Sequence, residues 1–456
     1  MRPSASSGRS GSVRIAACFL LILLPVFTVM APAVLVRAQT PGLVFSTPMN
    51  ISNDSKSAQD PNVQNVGSHV YVVWTERSNG IRFRESPDGG VTWVPPLNMP
   101  ALRVSNAGGT AQYPLMSENG TNVYVVWAQT IGTTGLQIME ATSANNGLSF
   151  TPPVQLTSGS PAGGFIGPAI ASWGNNVYVG YDNNTNGQAA FVTCSNQSGA
   201  PGTWTHPFMF GSFHEAQVAA WGGKYVYAVS DRGFATSTDN CATWKNVVLS
   251  VPKVPSEPWI AAYSNNSYMA GETKGSASNV EYTTSNNNGT TWSNAANFTI
   301  SNAWAPMVGA HGNSSWIALQ THPGSSSSEV WVFTTNNGGG KWTGPALLSG
   351  IPAKGSDTSF PFTVATSDGQ NVFVAWSQQI ISGYWVMRIA YSSDGGTTWT
   401  STPSSPASST VSQNTTGEAG NNNDVATGAI SAFGTHCYVV WQYVNGASNQ
   451  IYFARS

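Results

Sequence analysis

The residues best suited to chemistry are carboxylates grouped near the middle of the chain. Glu215, Asp231, Glu257 and Glu272 lie close together in a sequence in which only 20 of 456 residues are acidic, and Arg232 follows directly after Asp231. Two carboxylates that flank a glycosidic bond can hydrolyse it, and carboxylates also accept hydrogen bonds from sugar hydroxyls. We therefore take the four acids as candidate catalytic residues and Arg232 as a candidate ligand-binding residue.

Five further residues are candidates for contact with a ligand. They are acids and aromatic residues close to a Pro or just after a short apolar run, namely Asp60, Glu76, Tyr113, Trp259 and Trp304. An indole face can stack on a sugar ring. Packing inside the fold is the alternative interpretation for the two Trp residues. His214 borders the same group of acids.

Cofactor and metal motifs are missing from the sequence. It contains no Gly-rich phosphate loop with Lys, no His-Glu-x-x-His pattern and no Cys cluster with metal-ligand spacing. The six His residues are scattered, and no loop carries the dense Asp pattern of a calcium site. We predict neither a cofactor nor a metal.

A repeat that runs through most of the chain must position these residues. An apolar pentad such as Val70–Trp74 (VYVVW) or Val372–Trp376 (VFVAW) occurs eight times, at steps of 42 to 65 residues with a mean near 52. A Pro stands nine residues before most pentads, and a third apolar segment follows them. A period of about 50 residues is typical of one four-stranded blade of a β-propeller. The other pentads begin at residues 123, 177, 225, 267, 315 and 437.

A turn with a recurring sequence pattern follows the third apolar segment of most repeats. Its Asp or Asn can bond backbone N–H groups two residues further on, and its Gly supplies a positive φ. The aromatic residue at its end can pack between neighbouring sheets. We interpret the turn as a folding device and not as a catalytic motif. The closest copies of the pattern are Ser86–Trp93, Ser237–Trp244 and Ser392–Trp399. Less similar copies are Ser143–Phe150, Ser285–Trp292 and Thr335–Trp342, and Ser195–Trp204 is a longer remnant.

These turns match the pattern Ser-x-Asp-x-Gly-x-Thr-Trp, and from about Leu43 to Ser456 the chain resembles the sialidase-like family of Asp-box (BNR) repeat proteins. The resemblance implies an all-β propeller in which the Asp boxes lie between the third and fourth strands of each blade, away from the binding mouth. Sialidases have six blades, whereas eight pentads predict eight here. Seven blades is the alternative, if one weak unit merges with its neighbour. The segment Leu43–Ile51 is expected to complete the last blade and close the ring.

The catalytic residues of sialidases are not transferred to this chain. The family needs three Arg, the first in an [FY]-R-I-P motif, together with an Asp acid/base and a Tyr–Glu pair, and no Arg-Ile-Pro occurs here. Only Arg77 and Arg232 are expected at the mouth face, in blades one and four. Two separated arginines cannot form a three-Arg clamp, which favours binding over catalysis.

The propeller topology brings the candidate residues to one face. The first strand of a blade begins, and the second ends, at the face that surrounds the central mouth, which is the default ligand site of such a ring. The candidate acids and aromatic residues stand at these strand ends. We therefore expect a ligand at the mouth, beside the acids of blades four and five.

Residues 1–38 have the pattern of a secretory signal, and residues 39–456 form a single propeller domain. Basic residues precede the uncharged segment Ile15–Val36, and small residues predict cleavage before Gln39. An uncleaved anchor is the alternative. Without the signal the chain has 14 basic and 20 acidic residues, a net charge of about −6, which argues against a nucleic-acid partner. We expect an extracellular or cell-surface monomer with no membrane span after signal removal.

Three cysteines remain after the signal. Cys194 directly precedes the remnant turn of blade three, and Cys241 lies inside the turn of blade four. Because these turns lie near one face of adjacent blades, we predict a Cys194–Cys241 disulfide and a buried thiol at Cys437. Ten Asn-x-Ser/Thr sequons give weak support for an exported glycoprotein.

Three functions remain open at this point. The first is non-catalytic recognition of an extracellular glycan or surface polymer, favoured by the missing Arg clamp and the low charge. The second is a glycoside hydrolase of sialidase type that uses the acids of blades four and five. The third is a structural or partner-binding surface protein.

Overall fold

The computed structural model describes residues 43–456, apart from residues 54, 107, 134, 159–164, 184–188, 213–214, 248–255, 274–278, 325–326, 350–360, 382–383, 401–427 and 446–447. The predicted signal at residues 1–38, its cleavage site and His214 lie outside the described residues. Every regular element in the described residues is a β-strand. The all-β prediction is therefore confirmed.

The strands form eight antiparallel sheets, and each sheet is one blade. The first strand, β1 (Met49–Asn50), joins the last blade. Blade 1 contains β2 (Ala58–Val66), β3 (His69–Glu76), β4 (Gly80–Ser86) and β5 (Leu102–Arg103); blade 2 contains β6 (Ala111–Asn119), β7 (Asn122–Thr130), β8 (Leu136–Ser143) and β9 (Val154–Gln155). Blade 3 contains β10 (Phe165–Trp173), β11 (Asn176–Asn183), β12 (Ala189–Ser195) and β13 (Phe208–Ser212); blade 4 contains β14 (Gln217–Trp221), β15 (Tyr225–Ser230), β16 (Gly233–Ser237) and β17 (Lys245–Asn246).

The second half of the chain continues the same pattern. Blade 5 contains β18 (Ser256–Tyr263), β19 (Asn266–Thr273), β20 (Asn279–Ser285) and β21 (Ala296–Asn297); blade 6 contains β22 (Ala303–His311), β23 (Ser314–Gly324), β24 (Ser327–Thr335) and β25 (Thr343–Leu347). Blade 7 contains β26 (Pro361–Ala365), β27 (Val372–Ile381) and β28 (Tyr384–Ser392), and a Tyr391–Thr400 bridge stands in place of a fourth strand. Blade 8 contains β29 (Gly428–Phe433), β30 (His436–Asn445), β31 (Ser448–Arg455) and β1.

The blades form a closed ring. The innermost strand of each blade contacts the innermost strand of the next, and the strand of blade 8 contacts that of blade 1. β1 pairs antiparallel with β31, with Met49 opposite Phe453, and the Ser46 amide donates to the Arg455 carbonyl at 2.8 Å. The eight-blade prediction and closure by Leu43–Ile51 are therefore confirmed. Closure pairs a sheet edge that would otherwise stay open.

The apolar pentads form the second strand of each blade and are buried on both faces. Val70 to Trp74 are all fully buried, because neighbouring blades cover both sides of the sheet. This explains why the pentads are continuous apolar runs without polar alternation. The hydrophobic core is divided into clusters between adjacent blades. One such cluster contains Trp74 of blade 1 with Ile451 and Phe453 of blade 8.

The Asp boxes are turns held together by their own side chains. Asp88 accepts hydrogen bonds from the amides of Val91 at 3.0 Å and Thr92 at 2.8 Å, and from the Thr92 hydroxyl at 2.7 Å. Ser86 Oγ donates to Asp88 and accepts from the Gly90 amide. The amides bonded by Asp lie three and four residues further on, so the expected spacing of two residues was wrong. The structural role of the turn rests on these bonds.

Each box packs against the preceding blade. The Trp93 ring meets Phe453 of blade 8 edge to face at 4.9 Å. A Cβ on Gly90 would lie 2.3 Å from the Phe453 ring, and a Cβ on Gly147 would lie 2.3 Å from the Phe83 ring of blade 1. The box glycines therefore allow a close approach between blades, and the box aromatic fills the space beside it.

Between blades 3 and 4 a disulfide replaces this glycine contact. Cys241 occupies the box position held by Gly90 in blade 1, and its sulfur is bonded to Cys194 of blade 3 with a Cα–Cα distance of 6.5 Å. This is the pair that the turn positions predict. Cys437 is a free, buried thiol, and desolvation raises its pKa.

Candidate functional site

The residues that precede the Pro slot share an unusual backbone conformation. Each lies within three residues of the start of an innermost strand, and each has a positive φ, which non-Gly residues adopt rarely. In most of these blades the strand also has a register irregularity there. The positions and angles are Asp60 (54°), Tyr113 (57°), Gly167 (59°), Glu215 (71°), Glu257 (47°) and Ala305 (44°). In blades 1 to 6 the repeat therefore presents one variable residue per blade at the mouth, on the same local backbone.

Acids at the ends of second strands hold these positions across blade boundaries. Asp182 of blade 3 accepts hydrogen bonds from the amide of Glu215 at 2.7 Å and of Ala216 at 3.2 Å. Asp231 of blade 4 accepts from the Glu257 amide at 3.0 Å. Each carboxylate thus fixes the positive-φ residue of the following blade. Asp231 has a structural contact in addition to any contact with ligand.

Asp182 is a buried acid at this face whose pKa is raised. Its side chain is 3% exposed, and desolvation raises its pKa to about 7 against the opposing hydrogen bonds from the Glu215 and Ala216 amides. The nearby negative charge of Asp231 adds to the rise. The two anchoring acids are therefore close enough to interact electrostatically.

The remaining candidate acids differ in exposure. Glu215 is exposed and Glu257 is half-buried, whereas Glu272 on the second strand of blade 5 is only 4% exposed. Arg232 follows Asp231 in the turn after β15 and is exposed. The structure thus brings these residues to adjacent blades at one face. Glu215 and Arg232 are exposed, and Asp231 and Glu257 are half-buried. We name the group of Glu215, Asp231, Arg232, Glu257 and Glu272 the acidic sector.

The candidate aromatic residues divide into two kinds. Tyr113 is 49% exposed and Trp304 is 42% exposed, so both present ring surface to solvent. Trp259 is half-buried and packs against the core cluster between blades 5 and 6, beside Tyr268 and Val308. Trp259 therefore contributes to packing between blades, which was the alternative interpretation for it.

The candidates of blade 1 have local partners. Glu76 is 1% exposed, forms an ion pair with Arg82 and accepts a 2.5 Å hydrogen bond from the Asn79 side chain. Asp60 is half-buried, with its carboxylate 3.4 Å from the Gln59 amide nitrogen. Arg82 therefore lies near the mouth end of its strand, a position that sequence reasoning did not give it.

Two features of this face were not found from the sequence. One is the anchoring role of Asp182, and the other is the repeated positive φ. The Pro slot was the available signal for the second, since the residue before a Pro is conformationally restricted. No comparable signal separates an anchoring acid from a ligand-binding one.

No group of three or more His, Cys, Asp or Glu side chains that could hold a metal ion occurs among the described residues. Within the same residues, no helix is long and apolar enough to cross a membrane.

No known family profile matches the chain, and no curated protein is similar to it. Its structure is similar to that of a polysaccharide lyase described as an ulvan lyase, with a TM-score of 0.52 and 12% identity over 89% of this chain and 95% of the lyase. It is also similar to Trypanosoma rangeli sialidase in complex with sialic acid (TM-score 0.43, 12% identity, 90% and 59% covered). A lectin from Burkholderia pseudomallei gives a TM-score of 0.49 at 11% identity over 76% and 99%. Of these three, only the lyase exceeds a TM-score of 0.5, and at 12% identity it supports the β-propeller fold alone.

Proposed function

We propose that the protein is an extracellular, sialidase-like propeller that binds a glycan or surface polymer at its mouth without hydrolysing it. One observation carries the proposal. Around five consecutive blades, equivalent or adjacent mouth positions are occupied in order by Tyr113, Gly167, Glu215, Glu257 and Trp304. Two exposed aromatic residues therefore flank two carboxylates and a glycine.

This order suits the chemistry of a sugar chain. A sugar ring has an apolar face that can stack on an aromatic ring and an edge of hydroxyls that donate hydrogen bonds. Trp304 and Tyr113 offer the aromatic surfaces at the two ends of the arc. Glu215 and Glu257 offer hydrogen-bond acceptors between them. The arc has the length of several blades, which favours an oligomeric ligand over a single sugar.

The preference for binding over hydrolysis rests on the arginines and on the anchoring acids. Arg232 is the one arginine in the acidic sector, so this sector lacks the three arginines that clamp the carboxylate in sialidases. Asp182 and Asp231 already accept backbone hydrogen bonds. Glu215 and Glu257 stay as the pair that a glycoside hydrolase would use, which makes hydrolysis the activity to test against.

The cellular setting is part of the same proposal. The apolar segment Ile15–Val36 after basic residues favours export, and the Cys194–Cys241 disulfide is typical of an oxidising compartment. We infer an extracellular or cell-surface monomer whose partner is a glycan and not a nucleic acid.

The proposal is tested with a glycan array on the chain without residues 1–38, followed by calorimetric titration of the best oligosaccharide. Trp304→Ala is expected to weaken binding at least tenfold because the stacking surface is lost. Phe433→Ala is the matched control, because Phe433 is 46% exposed on the Asp-box face of blade 8 and its loss should leave affinity unchanged. Equal losses in both variants, or no saccharide bound at all, contradict the proposal.

Hydrolysis is measured in parallel with a panel of fluorogenic glycosides. A non-catalytic binder should release no fluorophore, and Glu257→Gln should weaken affinity only. Asp88→Asn is the control carboxylate, since Asn145 fills the equivalent box position in blade 2. Turnover that disappears in Glu215→Gln or Glu257→Gln but persists in Asp88→Asn would identify a glycosidase instead.

A further inference from the structure

Large apolar side chains are exposed at the Asp-box face of three consecutive blades. The third strand of a blade runs in the same direction as the first strand, so the hairpin after the first strand and the Asp box lie at the same face. In blade 1 the Gly89 amide of the box donates to the Ser68 carbonyl of that hairpin at 2.8 Å. The residues exposed at this face include Val44 and Phe433 of blade 8, Val91 of blade 1 and Leu148 of blade 2. We name these four residues the apolar rim.

The repeat does not require apolar residues at the tips of the boxes. Val91 and Leu148 both occupy the sixth position of their box. The same position in blades 4 to 7 holds Ala242, Thr290, Gly340 and Thr397. A small or polar residue therefore completes the same turn. The fold of the box does not explain why two adjacent blades expose large apolar side chains there.

Phe433 also differs from the residues at equivalent positions of other blades. It ends the innermost strand of blade 8, as Trp173, Trp221 and Tyr263 end those of blades 3, 4 and 5. Those three rings are half-buried and pack on one another, with centroids 4.3 Å and 4.1 Å apart. Phe433 is exposed, and its Cζ lies 4.0 Å from the position of a Cβ on Gly67 of blade 1. It therefore lies at the boundary of blades 8 and 1 with ring surface open to solvent.

The tips of the two boxes can leave water without losing hydrogen bonds of their own amides. The Val91 amide donates to the Asp88 carboxylate at 3.0 Å. The Leu148 amide donates to the Asn145 carbonyl at 3.3 Å. A backbone donor that enters an apolar environment unpaired costs free energy. Both tip amides avoid this cost because they stay paired inside their own turns.

The course of the chain indicates what lies opposite this face. β31 is a third strand and ends at the Asp-box face, and β1 pairs with it antiparallel. The chain therefore enters β1 from that face, past Val44 of the apolar rim. Residues 37–42 connect the apolar segment Ile15–Val36 to Leu43, and this stretch spans at most about 25 Å. A bilayer that takes up Ile15–Val36, as a signal or as an anchor, lies within that distance of Leu43.

We propose that the apolar rim binds the surface of a lipid bilayer and that the mouth then faces away from it. Apolar side chains that enter the boundary of headgroups and acyl chains leave water, which is favourable. They enter it by only about 5 to 10 Å, so the charged Asp88 can stay at the level of the headgroups. The net charge of about −6 argues against attraction to anionic lipid as the cause. The inference goes beyond the proposed function, because it concerns the face that the glycan does not use.

The test places a polarity-sensitive fluorophore at the tip of a box. The full chain with Cys18→Ala is reconstituted into phosphatidylcholine vesicles. Cys194 and Cys241 are bonded to each other and Cys437 is buried, so a cysteine introduced at an exposed position is the one that reacts with the label.

Leu148→Cys is compared with Thr290→Cys, which has the equivalent box position in blade 5. We expect the label at residue 148 to emit at shorter wavelength and to be quenched at least about threefold less by aqueous iodide. The label at residue 290 should stay exposed to water. Adding Val91→Thr and Phe433→Asn to the Leu148→Cys protein should restore quenching, because the rest of the rim is then polar. Met209→Thr is the control, since Met209 is exposed on β13 of blade 3 and its loss should change nothing.

The polar replacements have precedents within the repeat. Thr397 occupies the box position of Val91 in blade 7, and Asn119 ends the innermost strand of blade 2 as Phe433 ends that of blade 8. Both variants are therefore expected to fold.

The outcomes separate this inference from the proposed function. Equal emission and quenching at residues 148 and 290, or unchanged quenching in the variant with Val91→Thr and Phe433→Asn, would overturn the lipid contact. A label at residue 148 that leaves water without vesicles, as the protein concentration rises, would assign the rim to a second copy of the chain and also overturn it. Trp304→Ala should weaken glycan binding and leave the vesicle result unchanged, and the rim variants should do the reverse. Either proposal can therefore fail while the other stands.

Discussion

At the Asp-box face, equivalent positions of different blades carry closely similar side chains, such as Asp or Asn at the third position of the box, whereas at the mouth face equivalent positions carry unrelated ones. Asp88, Asp239 and Asp394 make the same hydrogen bonds to a Thr four residues further on. The positive-φ positions at the mouth also share one backbone geometry, but they hold an Asp, a Tyr, two Glu, a Gly and an Ala. The similar side chains of the boxes serve the packing of one blade against the preceding blade. Varied side chains on one backbone are what a ligand site needs.

The largest effect on the free energy of unfolding is expected when one Asp box is disturbed, and this tests the contrast between the two faces. Gly147 has a φ of +82°, and a Cβ there would lie 2.3 Å from the Phe83 ring. Gly147→Ala is therefore expected to lower the free energy of unfolding by about 4 kcal/mol, from overpacking and backbone strain together. Gly120→Ala is the matched control, because Gly120 also has a positive φ but nothing lies within 4 Å of its Cβ position. It should cost about 1 kcal/mol. Denaturant unfolding measures both, and equal costs would contradict the close-approach role of the box.

In blade 2 a buried carboxylic acid lies in the packing layer where blades 1 and 3 have an apolar residue. Its protonation can be tested by measuring stability against pH. Glu140 has no exposed surface, and it stands where blade 1 has Phe83 and blade 3 has Val192. Desolvation raises its pKa to about 8, against a hydrogen bond from Thr142. Its Oε2 has no hydrogen-bond partner among the described residues.

Because the folded state holds the Glu140 proton more tightly than the unfolded state, the stability that this group contributes is fully present below pH 4.5 and is lost as the pH rises towards 8. The expected slope from this group is about 1.4 kcal/mol per pH unit in that window. Glu140→Gln should remove this contribution to the slope and raise the free energy of unfolding at pH 7 by about 3 kcal/mol. Asp239→Asn should act on the acid side instead, since the Thr243 hydroxyl lowers the pKa of Asp239. Urea unfolding between about pH 2 and pH 8 covers both windows. A wild-type curve parallel to that of Glu140→Gln between pH 4.5 and 8 would refute the buried proton.

The smallest effect on stability is expected at the mouth. Glu215→Gly removes the backbone strain of a non-Gly residue at a φ of 71°. It also adds backbone freedom to the unfolded chain. These effects oppose each other, so the free energy of unfolding should stay within about 1 kcal/mol of the wild type. Glycan affinity should fall at the same time. A large loss of stability would mean that the Glu215 side chain holds the blade together, and the contrast between the two faces would not hold there.

The sequence predicted the blades well because the pentads and boxes are local patterns that repeat. Eight pentads implied eight sheets, and Leu43–Ile51 was recognised because it matches the segments after other boxes. Cys194 and Cys241 could be paired because both lie in known turns. Each of these inferences needed only the position of a residue within its repeat.

The candidate site was harder to predict because its contacts cross blades. Nothing in the local sequence says that Asp182 bonds the Glu215 amide of the next blade, or that Glu76 pairs with Arg82 and is not open to ligand. Glu140 could have been found by aligning the third strands, where it replaces an apolar residue.

The pairing of β1 with β31 determines the order in which the chain can assemble. Asn50 and Gln450 are hydrogen-bonded across a separation of 400 residues, so the last blade is incomplete until the whole repeat has been synthesised. Loop-closure entropy also makes such a distant contact slow to form directly. It becomes easy only when folded blades have already brought the two segments together. During synthesis the β1 segment must therefore wait unpaired, and a strand of only two residues is a poor template for the wrong partner. We expect the ring to close last, as a single step that commits the molecule to its final shape.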